Sequence, residues 1–118
     1  MRVLTIALAA LLGLALVSCG GGATQAPAGS TVKLTLSEFK YSTPTVEILA
    51  DQKITLELKN AGTVEHDFTI DAIGLKVLAG PAKTVTRTVG PLKAGTYDVY
   101  CSIAGHKEAG MVGKLVVK

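Results

Sequence analysis

No block of like charge stands out in this sequence. Twelve Lys and Arg stand against nine Asp and Glu, a formal net charge of +3 over 118 residues, so nucleic-acid binding has no support. No Cys-x-x-Cys pair and no Met- or His-rich tract is present, and these are the devices with which metal-scavenging and metal-delivering proteins expose their sites. The sequence offers no acid/base pair and no nucleophile–base pair, so an enzyme is not expected. Beyond residue 31 no segment carries a 3.6-residue apolar period, which argues against helices. Histidine, cysteine and methionine are scarce, with two of each.

The first apolar run, Val3 to Val17, follows Arg2 and covers fifteen residues. That is the length of a signal-peptide core and short for a membrane span. It ends in Leu16-Val17-Ser18-Cys19, which resembles a bacterial lipobox. Residues 1–18 are accordingly expected to be a lipoprotein signal peptide and Cys19 the lipidated residue. Without residues 1–18 the chain carries eleven Lys and Arg against nine Asp and Glu, a net +2. Gly20 to Thr31 has no large apolar residue, so residues 19–31 are expected to form a flexible tether.

The remainder, 32–118, reads as one small domain. Val32, Leu34 and Leu36 alternate with Lys33, Thr35 and Ser37; Ile54, Leu56 and Leu58 alternate with Thr55, Glu57 and Lys59. This is the two-residue period of half-buried strands. Val46 to Ile48, His66 to Ile70, Thr84 to Val89, Tyr97 to Cys101 and Leu115 to Val117 read similarly. Leu75 to Leu78 is a weaker candidate within the least readable stretch, Asp71 to Lys83. Seven to eight short strands punctuated by Gly and Pro predict an all-β, Greek-key sandwich or barrel. Tyr97, two residues after Gly95, matches a tyrosine corner, whose hydroxyl bonds upstream backbone; a core Tyr with its tip in water fits the sequence as well.

The chemistry gathers near the C-terminus. Cys101, His106 and Met111 are separated by four residues each, and lie between two predicted strands. Besides Met1 and Cys19, only His66 remains among the soft and imidazole side chains. Thiolate and thioether suit copper(I), imidazole suits both copper states, and two His, one Cys and a distant Met describe a blue-copper site. With Cys19 lipidated, Cys101 would be a lone thiol in an oxidising compartment, a liability that a tightly held metal removes.

Gly95-Thr96-Tyr97, Tyr100-Cys101-Ser102 and Gly110-Met111-Val112-Gly113-Lys114 resemble the C-terminal loop of plastocyanin, and the domain as a whole resembles the cupredoxins. The four-and-four spacing departs from plastocyanin and azurin and is similar to auracyanin. The resemblance implies one copper ion held by His66, Cys101, His106 and Met111. The single loop cysteine implies a mononuclear centre. It also implies that His106 reaches the surface through a small apolar patch, here Ala104, Gly105, Ala109 and Gly110, where transient redox partners dock. Lys107 and Glu108 would stand solvated at its rim. Asp67, where plastocyanin-like sites have Asn, is expected to accept from Ser102, and the Ile103 N–H to bond the Cys101 sulfur.

The implied function is one-electron shuttling between membrane-associated redox partners; copper storage or delivery is the alternative. The protein is expected to be a monomer, bound to the membrane only through its lipid, on the outer face of the cytoplasmic membrane or in the periplasm.

Overall fold

The computed structural model describes residues 29–118. The expected signal peptide, Cys19 and most of the tether lie outside the described residues. Among the described residues nine strands form: β1 (Thr31–Ser37), β2 (Lys40–Tyr41), β3 (Thr45–Ile48), β4 (Ile54–Asn60), β5 (His66–Ile70), β6 (Leu75–Ala79), β7 (Thr84–Val89), β8 (Gly95–Tyr100) and β9 (Val112–Val117), with one 3-10 turn at Asp71–Ile73. This is one strand more than the eight that periodicity marks out. The addition is β2, whose two residues are too few to show a period. The hard-to-read stretch after Asp71 resolves into the 3-10 turn and β6. Gly74, in the left-handed region at φ 62°, ends that turn.

The strands form two sheets, ordered β2-β1-β4-β7 and β3-β9-β8-β5-β6. β1 runs parallel to β4 and β3 parallel to β9, while the other neighbours are antiparallel. The alternation seen in the sequence sets which face is inward. Ile54, Leu56, Leu58 and Asn60 are buried along β4, while Thr55, Glu57 and Lys59 are not. Ile54, Leu56 and Leu58 meet Leu34 and Leu36 of the same sheet and Ile48, Phe68, Ile70, Val99, Leu115 and Val117 of the other in one apolar core. The Tyr97 hydroxyl donates to the Lys93 carbonyl at 2.8 Å, closing the corner before β8.

β5 is buried along its whole length, because it lies between β8 and β6. The chain enters it through residues 61–65, which Asn60 organises. Asn60 is 1% exposed. Its amide donates to the carbonyls of Val64 and Ala79, both at 2.8 Å, and its carbonyl accepts the Gly62 N–H at 2.8 Å. Asn60→Ala strips all three backbone groups of their partner. It is expected to cost about 2–3 kcal/mol, read as a lower denaturation midpoint at unchanged m.

Candidate metal centre

The site lies where β5 begins and β8 ends. Only one residue pair, Thr69 and Tyr100, is in register between these strands. Beyond it the ladder gives way to side-chain bonds. Extending the register sets Asp67 opposite Ser102, and there the Asp67 carboxylate accepts the Ser102 N–H at 2.8 Å and the Ser102 hydroxyl at 2.5 Å. The Asp67 N–H in turn donates to Cys101 Sγ at 3.4 Å. The Asp67 carbonyl accepts the Tyr41 hydroxyl at 2.8 Å. Strand β5 and the loop after β8 are thereby fastened at the point where His66 and Cys101 emerge.

The loop 102–111 doubles back on itself. His106 N–H donates to the Ile103 carbonyl, Ala109 N–H to Gly105, Met111 N–H to His106, and Cys101 N–H to the Met111 carbonyl, all between 3.0 and 3.1 Å. Gly110, at φ 102°, makes the left-handed turn that returns the chain to β9. These bonds bring His106 over Cys101.

His66, Cys101 and His106 are all buried, and their ligand atoms lie within 4.8 Å of one another. The two Nδ1 atoms are 3.2 Å apart, and Cys101 Sγ is 3.4 Å from His106 Nδ1. Donors spaced in this way share one first-row ion at bond lengths of about 2.0–2.3 Å. The donor set therefore fits a single metal ion, and a soft one, since a sulfur is included. Met111 is also fully buried, with both its backbone groups bonded within the loop.

Burial pushes the Cys101 thiol above its ordinary pKa, and the N–H groups of Asp67 and Ile103 pull the other way by favouring thiolate. Asp67 is completely buried and takes a further bond from the Thr69 hydroxyl at 3.0 Å. Lys76 of β6 stands 3.5 Å from its carboxylate, a cation that no pattern in the chain points to. Burial also raises the pKa of the Tyr41 phenol, with the charges of Cys101 and Asp67 adding to the effect.

His106 is 8% exposed. Ala104, Gly105, Ala109 and Gly110 around it are exposed. Sequence reasoning missed Phe39, in the β1–β2 turn, whose ring meets the His106 ring edge-on at 4.8 Å and is 41% exposed. Lys107 is not simply solvated at the rim: its ammonium sits 4.5 Å above the Tyr100 ring, a cation–π contact. Glu38 was also missed. Its Oε1 accepts the N–H groups of Thr63 and Val64 at 2.6 and 3.2 Å. The only sequence sign of either residue is an acidic–aromatic pair at a turn.

The model of the cupredoxin-like domain family matches residues 5–117. The copper-resistant cuproprotein CopI of Rubrivivax gelatinosus is 28% identical over 114 residues, which cover 79% of this chain and 69% of that protein. Dithionite-reduced auracyanin from Roseiflexus castenholzii superposes with a TM-score of 0.68 at 21% identity, over 78% of this chain and 99% of that one. Auracyanin A of Chloroflexus aurantiacus, described as a blue copper protein, gives 0.65 at 23% identity, over 76% and 100%. At these identities the solved structures show a common fold.

The bonds to Glu38, led by that from the Thr63 N–H, lower its pKa from 4.5 to about 2. A carboxylate depressed on folding stabilises the protein above its unfolded pKa and ceases to do so as pH falls through the folded one. In the metal-free protein, the stability gap between wild type and Glu38→Gln is expected to hold from neutral pH down to about 4.5 and to close towards pH 2. Denaturation midpoints taken across that range check it.

Proposed function

This chain belongs to the cupredoxin-like domain family, and from that premise we propose that it is a mononuclear type 1 copper protein that carries single electrons. The observation that carries the reading is the buried convergence of two imidazole Nδ1 atoms and one sulfur, 3.2 and 3.4 Å apart. His66, Cys101 and His106 hold the copper in this reading, with Met111 as the distant fourth donor. Copper, when bound, supplies a one-electron couple between its +1 and +2 states.

The residues around the site keep the donors in place through both states. Cys101 binds as thiolate, and the Asp67 N–H directed at its sulfur withdraws charge from it. The bonds from Asp67 to Ser102 fix the spacing of His66 and Cys101. Strands on either side hold this frame rigid, so little reorganises when an electron arrives. Electron exchange takes place at the His106 edge. Phe39 and the exposed small residues 104, 105, 109 and 110 form an apolar rim there, suited to brief docking of redox partners. The lipid on Cys19 and the tether would hold the domain at the outer face of the membrane or in the periplasm. No substrate is transformed.

Copper storage or delivery is the second reading, and the likeness to a copper-resistant cuproprotein favours it. Two experiments decide. Copper(II) added to the purified domain is expected to give one equivalent of an intense blue species, absent in Cys101→Ser. Stopped-flow mixing with a redox protein is expected to exchange electrons far faster than the copper passes to a chelator; the reverse order supports delivery. Met111→Gln is expected to retain copper with a shifted potential.

A further inference from the structure

His66 Nε2, the ring nitrogen turned away from the donor cluster, is buried and, among the described residues, makes no hydrogen bond of good geometry. The side chain as a whole is 0% exposed. A buried imidazole N–H left unpaired is costly, so an acceptor within reach of it matters. Oε1 of Glu38 stands 3.5 Å from it. The carboxylate arrives from the β1–β2 turn, and it is held in place by a cradle built for it. Thr63 N–H at 2.6 Å, Val64 N–H at 3.2 Å and the Thr63 hydroxyl at 3.4 Å all point at the same oxygen. Gly62 lets it approach: a Cβ at that position would collide with the Glu38 carboxylate. Asn60 in turn fixes the cradle by bonding Gly62 N–H and the Val64 carbonyl.

We propose that Glu38 is a positioning residue for the metal centre, holding the proton of His66 on Nε2 so that Nδ1 is left free to bind, and placing a negative charge behind the ring. The proposal rests on the copper reading for its functional consequence, but the proposed pairing of Glu38 with His66 does not need copper. A carboxylate behind a ligating imidazole fixes the tautomer and orientation of the ring and makes it a stronger donor. A stronger donor favours copper(II) over copper(I). The β1–β2 turn thus serves the site twice, with Phe39 against the His106 ring and Glu38 behind His66.

Two measurements test it. In the metal-free protein, nitrogen–proton NMR of the histidine rings is expected to show His66 as the Nε2–H tautomer with a proton protected from exchange. In Glu38→Ala that protection is lost. An unchanged ring signal in Glu38→Ala overturns the proposal, whether or not the protein takes up copper. In the copper-loaded protein, Glu38→Gln keeps an acceptor oxygen for Thr63 and Val64 but removes the charge. It is expected to keep the blue absorption, raise the reduction potential and bind copper(II) about tenfold more weakly. An unchanged potential would mean that Glu38 only pins the turn to residues 63–64, and would overturn the proposal. If wild type shows the protected His66 proton but forms no blue species, the copper reading fails and the Glu38–His66 bond stands.

Discussion

A single buried carboxylate holds this structure's centre together. Asp67 is cut off from water, where an unpaired charge would be very costly. It is offset by two bonds from Ser102, one from Thr69 and the nearby ammonium of Lys76. Its backbone is equally committed, to the Cys101 sulfur on one side and the Tyr41 hydroxyl on the other. Strand β5, the loop after β8 and strand β2 are therefore fixed to one residue. Replacing its side chain would take away the bonds to Ser102 and Thr69 and leave the two backbone bonds in place.

The sandwich around this point is small, and its core is mostly aliphatic. The inward face of one sheet is set by the simplest of patterns, alternation along β1 and β4. What the fold gives to the site is mainly rigidity. His66 opens β5 and Cys101 follows directly on β8, and the loop that carries His106 closes on itself through His106, Ala109 and Met111. A frame of this kind is what the proposed one-electron centre would need, since its charge would change while its donor spacing should not.

Much of this was legible in the chain. Strands such as Ile54–Asn60 show because every second residue is large and apolar. Cys101 and His106 show because scarce donor types recur at short spacing in one loop, and His66 because the chain holds no other histidine. The structure sets these three side chains side by side. Other residues were invisible for a physical reason. β2 is too short to have a period. Glu38 and Phe39 reach the two imidazoles only because β1 pairs with β4, carrying the β1–β2 turn across to the start of β5. Lys76 meets Asp67 through the β5–β6 register, and Lys107 folds over Tyr100 instead of standing free. Such contacts are products of topology, and a local reading of types and spacing does not contain them.

The claim on which the rest stands is that His66, Cys101 and His106 bind one ion together. Copper K-edge X-ray absorption on the copper-loaded domain tests it most directly. The account predicts one short copper–sulfur contact at roughly 2.1–2.3 Å and two imidazole nitrogens at about 2.0 Å. A copper shell without sulfur, or with a single imidazole, would contradict it.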